Sequence, residues 1–134
     1  DPTGRHYVPS TRPGARLPHA WLQRGGQNIS THDLVPRDGF VLLTGRASPA
    51  LTEAAAHAAA CFGVRIDVVP ITAAGDVQDP RHDWRRIREV GDDGALLVRP
   101  DQIIAWRCLE GLADPAAQLQ AVMQVVLRKS HAVA

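Results

Sequence analysis

The chain has 134 residues, of which 45% are hydrophobic and 22% charged, which is the size and composition of one folded domain. Its net charge is only +1 and it contains no basic run, so a nucleic-acid partner is not expected. The apolar runs are far shorter than the roughly 18 residues of a membrane-spanning helix, so no membrane partner is expected either.

Residues 1–18 are predicted to be an extended linker or interface segment, and residues 19–134 the folded domain. The segment holds four prolines and two glycines. Proline disfavours regular backbone pairing, and almost no apolar side chain is present to hold the segment in place. We therefore expect either a disordered lead-in or a stretch that leaves a preceding domain and lies against it.

The next predicted elements are short. Residues 19–22 favour a strand, and residues 23–28 favour a polar turn with two glycines. Residues 30–35 favour a second short strand or an ordered loop, and residues 36–39 a turn. Residues 40–45 are apolar almost throughout, which is typical of a central strand covered on both faces.

A helix over residues 50–62 is predicted from its alanine-rich composition and its ends. Ser48 can accept hydrogen bonds from the first free N–H groups, Pro49 suits the first helical position, and Gly63 suits a left-handed end. Residues 64–69 alternate between apolar and polar, which predicts a strand. Strand, helix and strand in this succession predict a parallel pair with a right-handed crossover.

Two further helices are expected. Asp83 is predicted to cap a short helix over residues 84–90. Asp114 and Pro115 are predicted to start a last helix over about residues 116–129.

Between these helices the sequence predicts a hairpin. Residues 95–98 form its first strand, Pro100 and Asp101 fill the middle of the turn, and residues 103–106 form the return strand. From residue 40 the predicted order is strand, helix, strand, short helix, strand, strand, helix. This is the thioredoxin-like order, so the predicted class is α/β, with a mixed β-sheet and flanking helices.

No catalytic, cofactor or metal residue can be assigned from the motifs. Thioredoxin-like chemistry needs a CxxC before the first helix, where this chain has Ser48, a predicted cap rather than a nucleophile. Cys61 and Cys108 are expected to be buried free thiols in a reducing, cytoplasmic compartment. The six histidines show no metal-ligand spacing, and no GxGxxG loop occurs; the turn at Gly45 could hold an anion in principle.

Several stretches together resemble the C-terminal portion of the FAD-dependent aromatic-ring hydroxylases, the monooxygenases of phenols and aromatic polyketides. The principal motifs are PSTRPGARLPHAWL at residues 9–22 and GALLVRPD at residues 94–101, the latter followed by AWR at residues 105–107. Residues 30–34 and 40–45 also match the pattern. The resemblance covers nearly the whole chain in the right order.

The resemblance implies a thioredoxin-like domain without redox cysteines, whose partner is an N-terminal FAD and substrate domain in a longer parent chain. In such enzymes NAD(P)H reduces the flavin, and the reduced flavin reacts with O₂ to hydroxylate a phenolic or polyketide ring. The present chain lacks the family's GxGxxG and GD motifs, so the resemblance implies a non-catalytic C-terminal domain or fragment with a structural, interdomain or dimerisation role.

Two sets of residues are singled out on this basis. Seven are predicted to contact the parent's FAD domain: Arg12, Pro13, Gly14, Arg16, Pro18, His19 and Trp21. Six form the family-signature hairpin: Gly94, Arg99, Pro100, Asp101, Trp106 and Arg107. A second copy of the chain, in a homodimer, is another possible partner. The alternatives left open are a stand-alone thioredoxin-like binding or adaptor module without redox activity, and a free-standing redox or transferase enzyme, which the missing CxxC disfavours.

Overall fold

The computed structural model describes residues 10–133, with side chains as far as Arg128. Seven strands, one 3₁₀ turn and three α-helices are present in this part of the chain. In chain order they are β1 (Trp21–Arg24), β2 (Gln27–Ser30), the 3₁₀ turn (Thr31–Leu34), β3 (Gly39–Thr44), α1 (Pro49–Phe62), β4 (Arg65–Thr72), β5 (Val77–Gln78), α2 (Asp83–Ile87), β6 (Ala95–Val98), β7 (Ile104–Cys108) and α3 (Pro115–Val133).

The strands form one mixed sheet in the order β2-β1-β5-β4-β3-β6-β7. All residues of β3 are buried, as expected for a central strand. It pairs in parallel with β4 and antiparallel with β6. The predicted α/β class, the parallel β3–α1–β4 unit and the β6–β7 hairpin are therefore confirmed.

The ends of α1 are those that the sequence predicts. Ser48 Oγ accepts a hydrogen bond from the backbone N–H of Leu51 at 3.2 Å. Pro49 occupies the first turn, and Gly63 ends the helix with φ of 65°. The alanine-rich face of α1 packs with α3 against one face of the sheet.

The other face of the sheet is covered without a long helix. Its core combines Leu17 from the N-terminal segment, Leu34 from the 3₁₀ turn and Trp84 from α2 with side chains of the strands. The expectation that the N-terminal segment has almost nothing to hold it is wrong, because Leu17 is only 1% exposed. Whether that segment also contacts a preceding domain stays a prediction.

Backbone hydrogen bonds fix the same segment along the hairpin. Gly14 N–H donates to Ile104 O at 2.8 Å, Ile104 N–H donates to Ala15 O at 2.9 Å, and Leu17 N–H donates to Gln102 O at 2.8 Å. These bonds occupy part of the outer edge of β7, the last strand of the sheet. The segment therefore protects an edge that would otherwise be open to pairing with another chain.

The short elements differ from the predictions in their details. The predicted turn over residues 23–28 is too long: residues 23–24 belong to β1 and residues 27–28 to β2, because Gly25 and Gly26 alone, both at positive φ, complete the turn. Of the two alternatives for residues 30–35, the ordered loop is the correct one: residues 31–34 form a 3₁₀ turn, because Ser30 and Asp33 form a capping box at its start. The two-residue strand β5 was not predicted.

The cap of α2 and the burial of both cysteines also differ from expectation. Asp83 does not cap α2; the buried carboxylate of Asp79 accepts hydrogen bonds from the N–H groups of Trp84 at 3.3 Å and Arg85 at 2.9 Å. Asp79, four residues before the helix, thus caps α2 because the chain between them turns back toward the helix end. Cys61 is exposed rather than buried, because it lies on the outer face of α1, and Cys108 is only half-buried.

Candidate interdomain surface

Trp21 is the most exposed large apolar side chain in the described part of the protein. Neighbouring residues of a strand face opposite sides, so Leu22 enters the core while Trp21 points outward and is 55% exposed. The ring of His19 meets the Trp21 ring edge-to-face, with ring centroids 4.7 Å apart and planes at 88°. This arrangement is a favourable one for aromatic rings, and it supports Trp21 in its exposed position.

A hydrogen-bonded cluster holds His19 in place. His19 Nδ1 lies 2.7 Å from Ser30 Oγ, and Ser30 Oγ also accepts from the backbone N–H of His32 at 3.1 Å. His32 Nε2 contacts the carbonyl oxygen of Leu17 at 2.7 Å. Because a carbonyl can only accept, Nε2 of His32 carries the proton. The cluster therefore connects the exposed ring pair to the N-terminal segment at its buried residue Leu17.

A shallow groove of about 170 Å³ adjoins Trp21. Its walls include Asn28 of β2 and Pro80 and Arg81 of the loop before α2. The Arg81 guanidinium has no carboxylate within ion-pair distance among residues 10–128. We call His19, Trp21, Asn28, Pro80 and Arg81 together the Trp21 surface; it presents an aromatic centre with a positive charge at its margin.

The remaining predicted contact residues lie along the N-terminal segment. Arg12, Pro13, Gly14 and Arg16 are exposed, and Arg16 forms a backbone bridge with Ile103 at the hairpin turn. Pro18 is buried within this domain, so its side chain is not available to a partner.

The hairpin turn connects this stretch to the Trp21 surface. Gln102 Nε2 donates to the carbonyl oxygen of His32 at 3.2 Å, and the His32 ring centroid lies 5.9 Å from that of His19. Leu17, next to Arg16, donates its N–H to Gln102 O, so the backbone beside Arg16 is connected through Gln102 to the carbonyl of His32.

Glu89 forms a second polar cluster that sequence reasoning missed. Its Oε1 accepts hydrogen bonds from Thr11 N–H at 2.6 Å, Ser10 Oγ at 3.2 Å and Arg107 Nη1 at 3.4 Å. The Thr11 N–H is the main cause that lowers the pKa of Glu89 below its ordinary value, and the Ser10 hydroxyl and Arg107 act in the same direction. This carboxylate therefore holds the start of the described segment, and no local sequence pattern indicates it.

Gly94 precedes β6 at a point where its backbone closely approaches the backbone at the end of β7. A Cβ there would lie 2.6 Å from Cys108 O and 2.7 Å from Leu109 O. Only glycine fits such an approach between backbone groups. Its presence in the signature hairpin therefore has a packing reason.

The turn and return strand use the other signature residues. Gln102 N–H donates to Arg99 O at 3.0 Å across the turn, Pro100 is exposed, and Arg99 pairs with Asp101. Trp106 is half-buried and packs on the α1–α3 side of the sheet. A groove of about 270 Å³ separates Trp106 from α3, and Val125 at its margin is 47% exposed.

The loop before α1, which carries the thiols in thioredoxin-like enzymes, contains Arg46 and Ser48 here. Ser48 Oγ is engaged as a helix cap. Arg46 pairs with Asp93 at 2.9 Å, and Asp92 binds the largely buried Arg88, which lowers the pKa of Asp92. Carboxylates thus balance the positive charges beside this loop, and no nucleophile with a base is formed by these side chains.

None of three surface grooves is large enough by itself to enclose FAD. The grooves at Trp21, Ser48 and Trp106 have volumes of about 170 to 270 Å³, whereas small-molecule pockets usually have about 300–1,000 Å³. No group of three or more His, Cys, Asp or Glu side chains suited to a metal occurs in the described part of the chain. None of its helices is long and apolar enough to cross a bilayer.

Comparison with known proteins gives a consistent result. A family model described as "Aromatic-ring hydroxylase, C-terminal" matches residues 10–129. The chain is 40% identical over 122 residues to the 2,4-dichlorophenol 6-monooxygenase of Delftia acidovorans, covering 91% of this chain and 21% of that protein. It is 43% identical over 114 residues to the phenol 2-monooxygenase of Pseudomonas sp. (strain EST1001), covering 85% and 19%.

A solved structure agrees with the sequence matches. The flavin-dependent monooxygenase PieE, crystallised with FAD and substrate, superposes with a TM-score of 0.83 at 45% identity. The match covers 92% of this chain and 21% of PieE. The chain therefore spans about a fifth of the length of the relatives that it matches.

Proposed function

The chain belongs to the aromatic-ring hydroxylase C-terminal family, and on this premise we propose that it docks on the FAD- and substrate-binding part of a longer monooxygenase. The single observation that carries the proposal is the exposure of Trp21, which is 55% exposed and is supported on one side by an edge-to-face contact with the ring of His19. Tryptophan is enriched among the residues that dominate binding energy at interfaces, and an ordered side chain loses little entropy on binding.

The positive charge at the Trp21 surface indicates which charge the partner surface should carry. Arg81 in the groove and Arg16 beside the hairpin turn have no carboxylate partner among residues 10–128. An opposing surface with an apolar pocket for Trp21 and carboxylates at its rim would match both features. Such rim pairs orient the partners more than they add affinity.

The activity proposed for the parent follows from its relatives. Their names describe monooxygenases that act on phenols, and PieE was crystallised with FAD. We propose that the parent is an FAD-dependent enzyme that uses NAD(P)H and O₂ to hydroxylate a phenolic or polyketide ring. Bound FAD would supply the oxygen chemistry, and the residues described here would contribute no catalytic group. The two free cysteines are compatible with a proposed cytoplasmic location.

The docking proposal is tested in the full-length parent with Trp21→Ala. We expect the variant to release FAD more readily and to unfold at a lower temperature than the wild type, because the two parts no longer hold each other. Leu109→Ala is the matched control: Leu109 is 52% exposed but follows β7, at the end of the hairpin away from its turn. Equal FAD retention and equal Tm for both variants would show that Trp21 is not an interface residue.

A second proposal concerns self-association. The groove between Trp106 and α3 is lined by apolar side chains, and Val125 stands at its open margin. We propose that a second copy of the chain covers this groove, since exposed apolar grooves commonly mark interfaces. Val125→Asp should convert a dimer to a monomer in sedimentation analysis, whereas the exposed Glu53→Gln on α1 should not. A dimer that persists in Val125→Asp would exclude this surface.

A further inference from the structure

The outer face of α1 carries a cysteine and a histidine that face each other. His57 and Cys61 are four residues apart, so they lie on one side of the helix. Cys61 Sγ is 3.5 Å from His57 Nε2, and both residues are exposed. Neither side chain makes another hydrogen bond within the described part of the chain. The two groups are therefore available to a ligand from solvent.

Their separation matches the spacing of two ligands on one metal ion. A tetrahedral zinc ion binds thiolate sulfur at about 2.3 Å and imidazole nitrogen at about 2.0 Å, which places the two ligand atoms about 3.6 Å apart. The observed distance of 3.5 Å between Cys61 Sγ and His57 Nε2 is close to this value, so the two atoms already have the separation that one ion requires. Thiolate and imidazole are also the donors that soft and borderline d¹⁰ cations prefer.

The position on the helix favours a cation as well. Cys61 lies in the last turn of α1, where the carbonyl end of the helix carries partial negative charge. That turn contains no basic residue to compete with a bound ion.

From this geometry we propose that His57 and Cys61 bind one thiophilic divalent cation, of the Zn²⁺ or Cd²⁺ class, at the exposed surface of α1. The ion forms one bond to Sγ and one to Nε2, and water completes its coordination. The Cys61 thiol loses its proton to solvent, so one proton is released for each ion bound. The described residues contain no third protein ligand at this place, so the affinity is lower than that of a structural zinc site.

The test is a CdCl₂ titration of the reduced 134-residue chain, followed by the ultraviolet charge-transfer absorbance of a cadmium thiolate. We expect one equivalent to saturate the wild type and the Cys108→Ser control, in which the other cysteine is removed. Cys61→Ser should abolish the band, and His57→Gln should require at least tenfold more Cd²⁺. Both substitutions are at exposed positions, and circular dichroism would verify that the helices are retained.

Two results would overturn the proposal. Binding by His57→Gln equal to that of the wild type would mean that the thiol acts alone and that the pair is not a site. A band that persists in Cys61→Ser would place the cation on other residues. Direct titration of the wild type with Zn²⁺ should release one proton for each ion bound, and no proton release in the wild type would exclude the Zn²⁺ class.

Discussion

Leu17→Ala should destabilise the 134-residue chain strongly, although Leu17 belongs to a stretch with the composition of a linker. Leu17 is 1% exposed and packs in the core cluster with Leu22, Val98 and Ile104. Truncating a fully buried leucine to alanine removes three carbon atoms and leaves a cavity, which costs about 2–5 kcal/mol. For a domain of this size, a loss of about 3 kcal/mol lowers the Tm by roughly 10 °C.

Urea and thermal unfolding, monitored by circular dichroism, measure this effect directly. Arg16→Ala is the matched control. Arg16 precedes Leu17, its side chain is exposed, and its backbone forms a bridge with Ile103. Arg16→Ala should change the free energy of unfolding by less than about 0.5 kcal/mol. If Leu17→Ala cost no more than the control, the segment would be a linker that does not contribute to the core, and the reasoning would be refuted.

Three other substitutions test single contacts through the free energy of unfolding. Glu89→Gln should lower the free energy of unfolding by less than about 1 kcal/mol at neutral pH, since the site is half-exposed. Because the pKa of Glu89 is lowered in the folded state, the difference in stability between the variant and the wild type should disappear as the pH falls through that lowered value. Gly94→Ala should cost about 1–3 kcal/mol, whereas Gly111→Ala, which has room for a methyl group, should be nearly neutral. Asp79→Ala should cost about 1–2 kcal/mol and Asp83→Ala much less, and the reverse order would contradict the assignment of the cap.

The central part of the fold could be predicted because its signals are local. An uninterrupted apolar run gave β3, and Ser48 with Gly63 gave both ends of α1, since capping depends on residues next to the helix. The order of the elements then determined the parallel β3–β4 pair and the mixed sheet.

The parts that the sequence did not reveal depend on contacts between distant residues. β5 has two residues, too few for any periodic pattern, and it exists because β1 and β4 flank it. Leu17 is a single apolar residue among prolines, and only its position against the hairpin makes it a core residue.

The sequence likewise predicted only some residues of the candidate site. The family resemblance singled out Trp21 and His19, which the structure brings together as a supported ring pair. It did not indicate Arg81, which enters the groove from a loop about 60 residues away. It also did not indicate Glu89, whose role depends on Thr11 N–H, a backbone group that has no sequence signal.

The most direct test of the docking proposal is hydroxyl-radical footprinting of Trp21 in the full-length parent and in the isolated 134-residue chain. If the Trp21 surface faces the FAD-binding part, oxidation of Trp21 should fall several-fold in the parent, while that of Leu109, which is equally exposed here, should not change. Equal oxidation of Trp21 in the two proteins would contradict the proposed interface.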